Sequence, residues 1–262
     1  EPRSSTVVVM DTVSRRVNTN TRLVLYAQLS ATYPVTGVWT ATIDTVETGY
    51  NATTPKLANF TSDEVGGIGV PCPVLLPDNM LRAGSAVTFR FSATRSDFSN
   101  PAYHAFAETT VIVNSPPTSG TFTVDPSTGA PLSDWFLLTA SGWTDVDLPL
   151  TYTFAYRKYS VGSALSIQER STVNSVSARL PPGDVAAGYT ITLIATVFDS
   201  LLATTNATDT ATVGPLASAT SLIVYLQDGL ASFESTHDKS AAFSLVNNVV
   251  SEINTVNSTL SN

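Results

Sequence analysis

Cysteine is almost absent: Cys72, set between Pro71 and Pro73, is the single residue of its kind in 262. One thiol excludes an intramolecular disulfide and any CxxC metal or redox centre. Cys72 reads first as a buried small hydrophobe, and second as a bond to a neighbouring chain, the alternative for an odd cysteine in a secreted protein. Histidine is nearly as scarce, with only His104 and His237, and neither stands beside a nucleophile motif. No Gly-x-Ser-x-Gly, His-Glu-x-x-His, Gly-rich phosphate loop or dinucleotide fingerprint occurs. Asp63 and Glu64, adjacent in a Gly-rich stretch, read as solvated charges rather than a glycosidase pair. The expectation is a protein that is not an enzyme and needs no cofactor.

Charge is also sparse. Charged residues make up 13%, with 13 Lys and Arg against 21 Asp and Glu, a net charge of −8. Without a basic cluster there is no counterion release to drive nucleic-acid binding. Ser and Thr, about a quarter of the chain, supply the polar surface instead, a balance that suits β-structure and extracellular surfaces. No apolar run approaches the roughly 18 to 20 residues needed to cross a bilayer, Leu222 to Leu226 being the best, so this segment is not expected to insert in a membrane. The opening Glu1-Pro2-Arg3 lacks an initiator Met and a signal-like apolar region, which implies a processed or internal part of something longer.

What the sequence does have is alternation. Thr6 to Met10, Arg22 to Leu29, Val38 to Ile43, Val87 to Thr94 and Glu108 to Val113 read as strands, with Trp39 a large aromatic of the sandwich-core kind. Aligning Leu76-Pro77 with Leu180-Pro181 also places Ala83-Gly84 on Ala187-Gly188. The same shift of 104 residues puts Val87, Phe89, Phe91 and Ala93 on Ile191, Leu193, Ala195 and Val197. That spacing is one immunoglobulin-sized module, and Tyr189 is placed to supply a tyrosine corner in the second copy. After Gly214-Pro215 the period changes: Leu245, Val249, Ile253, Val256 and Leu260 fall on one side of a helix, preceded by a helix or strand from Ala217 to Leu230. The expected fold is mostly β: two tandem immunoglobulin-like or fibronectin-like β-sandwiches, residues 1–115 and 116–216, then a C-terminal helical extension, 217–262. The extension must bury its apolar stripe against the second sandwich, another chain or a further domain. Cys72, Leu245, Val249, Ile253, Val256 and Leu260 are therefore the candidate intermolecular contacts.

Candidate site residues lie mostly in loops. Asn-X-Ser/Thr sequons at Asn51, Asn59, Asn206 and Asn257 are candidate N-glycosylation sites, Asn206 being read as part of a polar loop. Asp145 and Asp147, with Asp125, Asp134 and Asp199 elsewhere, are candidates for calcium; turn stabilisation is a sufficient local job for them. Trp143 reads as a core or corner aromatic rather than a sugar platform.

One stretch carries a family resemblance. Asn114-Ser115-Pro116-Pro117, Gly120, Val124 with Pro126, Gly129, then Gly142-Trp143-Thr144-Asp145 and Pro149-Leu150-Thr151-Tyr152 resemble the receptor-for-egg-jelly (REJ) module of sperm receptors and polycystin-type ciliary membrane proteins. The resemblance implies a cysteine in the strand before the Val-x-Pro and another before the Gly-Trp. This chain has Phe122 and Ala140 there, so both halves of that implied disulfide are missing. It further implies a structural or adhesive extracellular module of a larger cell-surface glycoprotein, ciliary or flagellar, within reach of an extracellular filament. Its partners would be other extracellular domains, copies of itself, or glycans. The alternative is a glycan- or protein-binding receptor ectodomain, with 45–70 and 159–172 as its recognition loops.

Overall fold

A computed structural model describes residues 7–10, 15–31, 35–45, 51–53, 58–62, 70–95, 104–216, 219–236, 239, 242 and 245–250. The chain divides into two compact units, Glu1–Ser115 and Pro116–Asn262.

In the first unit, β1 (Val7–Met10), β3 (Leu23–Ser30) and β7 (Val70–Leu76) form a three-stranded antiparallel sheet in the order β1-β3-β7. The facing sheet contains β2 (Arg15–Val17), β4 (Val35–Thr45), β5 (Asn51–Thr53), β6 (Ala58–Ser62), β8 (Ser85–Arg95) and β9 (His104–Val113). Its order is β2-β9-β8-β4-β5, with β6 also on β4, and β2 runs parallel to β9. Alternation decides which side chains turn inward: Val87, Phe89, Phe91 and Ala93 are buried, as are Leu23, Ala27 and Leu29 opposite them. Trp39 is fully buried on β4; its ring lies 5.2 Å from Phe91 and its Nε1 donates to the Cys72 carbonyl at 3.1 Å. That bond is what a buried indole needs in order to avoid an unpaired donor.

The second unit repeats the plan. Strands β10 (Thr121–Asp125), β12 (Trp135–Ser141) and β15 (Ser175–Arg179) form one sheet. Strands β11 (Thr128–Gly129), β13 (Thr151–Arg157), β14 (Leu165–Ser171), β16 (Thr190–Phe198) and β17 (Thr204–Val213) form the other, ordered β11-β17-β16-β13-β14. Here too a short strand, β11, runs parallel to the last long one. The protein is therefore mostly β, two immunoglobulin-like sandwiches in tandem followed by helix. Position by position, Ile191, Leu193, Ala195 and Val197 are buried as their counterparts are, and Gly84 and Gly188 both take positive φ, 75° and 64°, just before the central strand. The tyrosine corner is absent among the described residues. Tyr189 itself has φ 64° and contributes its backbone, accepting from Val213 N at 2.9 Å, because the left-handed turn at Gly188-Tyr189 already closes the corner.

Helix α1 (Ala219–Thr236) and the helical residues 245–250 belong to this second unit. Leu222, Tyr225, Leu226 and Gly229 make the inward stripe of α1, with Leu132, Tyr225 and Leu245 as a small third core. Gly229 admits the neighbouring helix: a Cβ there would sit 2.6 Å from Leu245 Cδ1. Of the stripe expected for intermolecular contact, Leu245 is buried in this core and Val249 is half-buried; Ile253, Val256 and Leu260 lie outside the described residues. Asn248 is fully buried and ties the segment down. It accepts from Tyr156 Oη at 3.0 Å and donates to the Arg179 carbonyl at 2.8 Å and to Tyr225 Oη at 2.7 Å.

Candidate functional site

Within the stretch that carries the family resemblance, Pro117, Thr118, Gly120, Trp143 and Thr144 come together with Thr205 in the second unit. Thr118 and Thr144 exchange two backbone hydrogen bonds, both 3.0 Å, and Thr205 Oγ1 donates to the Pro117 carbonyl at 2.6 Å. Trp143, half-buried, packs on the sandwich core and lies directly over Gly120, where a Cβ would overlap its ring. Trp143 is thus a corner aromatic and Gly120 the residue that makes room for it. Gly120→Ala should cost the second unit about 2 kcal/mol and red-shift tryptophan emission, since the indole must lift off its seat. Unchanged emission and urea midpoint would contradict this packing.

Three of the five aspartates meet there. Carboxylate oxygens of Asp145, Asp147 and Asp199 lie within 4.8 Å of one another. Asp145 Oδ1 accepts from Asp147 N at 2.8 Å, and Ser200 N donates to the Asp147 carbonyl at 2.9 Å. Asp199 is buried, with Oδ1 accepting from Leu201 N at 2.9 Å and Ala203 N at 2.8 Å, so its carboxylate shapes the β16–β17 turn. Should a hard divalent cation bind this chain, these three residues supply oxygens of the right kind. Their visible work is turn formation. Asp199→Ala removes a carboxylate acceptor shared by two turn amides and should destabilise the unit by about 2 kcal/mol in urea denaturation; a loss below about 0.5 kcal/mol would rule out that role. Asp134 holds a different turn through Ala130 N at 2.8 Å, and Asp125 ends β10, so neither joins the cluster.

The two positions implied for the lost disulfide are register partners. Phe122 on β10 faces Ala140 on β12, both are buried, and Phe122 packs on Phe154 with ring centroids 5.9 Å apart. Ala140 sends its N–H to the Asn174 carbonyl at 2.9 Å and receives Asn174 Nδ2 on its own carbonyl at 3.0 Å. Its backbone bonds therefore point away from β10, which makes Phe122 and Ala140 a non-hydrogen-bonded pair, the closer of the two antiparallel geometries.

Cys72 is fully buried in β7, and burial pushes its thiol pKa up, so the thiolate needed for exchange is disfavoured. A bond from it to another chain does not fit this setting; the buried hydrophobe does. Asn51 and Asn59 sit in β5 and β6, Asn257 lies outside the described residues, and Asn206 is exposed in the middle of β17 rather than in a polar loop. Its Thr-rich surroundings, polar in sequence, alternate strictly with Ala207, Ala211 and Val213. Of the proposed recognition loops, 159–172 contains β14, and the described part of 45–70 contains β5 and β6. What sequence reasoning missed is a groove of about 430 Å³ beside α1, walled by Pro131, Leu132, Pro215 and Val224, with Arg179 and Asp228 3.6 Å apart at its side. Those residues come from three separate segments, so no local pattern announces them.

No helix among the described residues is long and apolar enough to cross a membrane. Among solved structures, similarity extends to a bacterial ice-binding adhesin of 1.5 MDa, in work on its retention at a host cell surface: 15% identity, TM-score 0.36, covering 81% of this chain and 66% of that one. Red sea bream transglutaminase matches at 10% identity and TM-score 0.29, covering 82% and 32%. The chain spans under two thirds of the first and about a third of the second, and at such scores neither bears on function. A family model described as the REJ domain matches residues 4–251.

Proposed function

Since the chain belongs to the REJ domain family across residues 4–251, we propose that it is a non-enzymatic structural and adhesive module of a larger extracellular, cell-surface glycoprotein. The finer setting we propose is a cilium or flagellum, with the module as a candidate part of an extracellular filament. The observation that carries this reading is the connection between the two like sandwiches. At one end Asn114 is pinned within the first unit, its N–H to the Val17 carbonyl at 2.8 Å and its Nδ2 to Asn18 Oδ1 at 2.9 Å. At the other, the Pro117 carbonyl is held by Thr205. Little more than Ser115-Pro116 remains free, and proline fixes one of the two backbone dihedrals. Short proline-containing linkers act as semi-rigid spacers, and this composition supports the tensile reading.

Partners on this reading are other extracellular domains or further copies of the chain. Replacing Pro116-Pro117 by Gly-Gly should shorten the mean end-to-end length in small-angle scattering and weaken cell attachment by the parent protein. Attachment unchanged despite the shorter length would remove the spacer role. The receptor alternative predicts glycan or protein capture by the isolated chain, and a saturable array signal would favour it.

A further inference from the structure

Strand β17 is closed along only part of its outer edge. Val213 N donates to the Tyr189 carbonyl, so odd-numbered residues of β17 carry the ladder to β16, and even-numbered ones turn N–H and C=O outward. Toward the C-terminal end these outward groups are used. Thr212 N donates to Ser127 O at 2.8 Å, Gly214 N to Gly129 O at 3.2 Å, and Thr210 N to Asp209 Oδ1 at 2.8 Å. Partner strand β11 then stops, having paired only with Thr212 and Val213. Among the described residues, the outward groups of Thr204, Asn206 and Thr208 have no hydrogen-bond partner.

An open edge is a template for another strand, and proteins block such edges with proline, charge or a cover. The first unit uses proline: Pro71 and Pro73 fall on alternate residues of edge strand β7, and the β3 ladder tolerates them only with their missing donors facing away from it. Between Thr204 and Val213 there is no Pro, Lys or Arg, and the one charge, Asp209, is bound to Val124 N at 3.0 Å and to Thr210 N. What the open stretch does contain is Asn206-Ala207-Thr208, with Asn206 and Thr208 both exposed on the outer face.

We propose that Asn206 carries an N-linked glycan whose task is to close the edge from Thr204 to Thr208 against strand addition by a second copy of this chain. The proposal rests on the extracellular reading, because the modification is made on the secretory route. In the transfer, the Asn206 side-chain nitrogen bonds to the anomeric carbon of a lipid-diphosphate-linked oligosaccharide. The bond from that carbon to the diphosphate oxygen breaks, the lipid diphosphate leaves with the electron pair, and the amide proton goes to base. The sugar then projects from the centre of the open stretch, beside Thr196, the register partner of Asn206.

The test is the chain secreted from a eukaryotic cell, with peptide mapping for occupancy and size-exclusion chromatography over a concentration series. Wild type should carry glycan at Asn206 and remain one species. Thr208→Ala, which destroys the sequon, should lose the glycan and form larger species as concentration rises, whereas Thr208→Ser should behave as wild type. Trimming the glycan of folded wild type to its first sugar with an endoglycosidase avoids any folding defect and should give the same association. Secreted protein unmodified at Asn206 overturns the proposal and leaves the extracellular reading standing; protein retained in the cytosol sinks both. If Thr208→Ala and the trimmed wild type stay as monodisperse as wild type, the glycan is no edge guard.

Discussion

Asn248→Ala should release the helical part of the second unit while leaving both sandwiches folded. Asn248 has no solvent exposure, and its side chain satisfies Tyr156 Oη, Tyr225 Oη and the Arg179 carbonyl together. Removing it takes a buried hydrogen bond from each of three polar groups, and each such loss costs about 1–3 kcal/mol, so the expected loss is on the order of 3–5 kcal/mol. The remaining anchors are weaker. Among the described residues they include Asn247 Nδ2 to the Ser166 carbonyl at 2.9 Å, the half-exposed Arg179–Asp228 pair at 3.6 Å, and a small core of Leu132, Tyr225 and Leu245 with its neighbours. The loss therefore falls on docking, not on the β-core, where Phe136, Phe154 and Ile191 are untouched. Limited proteolysis should cut within 219–250 well before the sandwich, with β-sheet circular dichroism retained and helical signal reduced. Cleavage as slow as in wild type would contradict the clasp. Asn248→Asp should act in the same direction, since a carboxylate can still accept from Tyr156 but cannot donate to the Arg179 carbonyl.

The second large effect is a gain. Phe122→Cys with Ala140→Cys should oxidise spontaneously, because a non-hydrogen-bonded antiparallel pair brings Cα atoms to about 4.5 Å, inside the span a disulfide accepts. Closing a loop of this size is worth roughly 3 kcal/mol relative to the reduced form of the same variant. For a unit of this length that is about 6–12 °C between oxidised and reduced melting temperatures. Comparison with wild type will show a smaller gain, since Phe122 also packs on Phe154 and its loss opens space in the core. Failure of the two cysteines to pair would mean that β10 and β12 do not hold this register.

Much of this architecture was legible in the chain because a half-buried strand writes its burial at period two. Val87, Phe89, Phe91 and Ala93 show it, and their counterparts 104 residues on show it again, so the tandem plan is written in the sequence itself. The pairing of Phe122 with Ala140 was legible through the resemblance, not through any local pattern. Strand β7 was not: Pro71 and Pro73 cannot donate to a ladder, and only its place at a sheet edge makes them compatible with a strand. Asn206 was misread for a related reason, since Thr-rich strand and polar loop have the same composition and differ only in what lies across the ladder. Nothing marked Asn248 either. A polar residue one step before Val249 on an amphipathic stripe reads as solvent-facing until Tyr156, from a strand 92 residues earlier, is placed against it.

The acidic cluster shows the same limit from the other side. Asp145 and Asp147 are neighbours in sequence, but their meeting with Asp199 depends on the β16–β17 turn, and the amides that occupy Asp145 and Asp199 become visible only once that turn is built.

The extracellular placement is the claim on which the spacer and edge-guard readings both depend. It is tested most directly by an antibody against the folded chain applied to living, unpermeabilised cells that make the parent protein. Labelling of the intact cell surface, with no increase after permeabilisation beyond the secretory pool, is the predicted result. Labelling that appears only after permeabilisation, and throughout the cytosol, would contradict it.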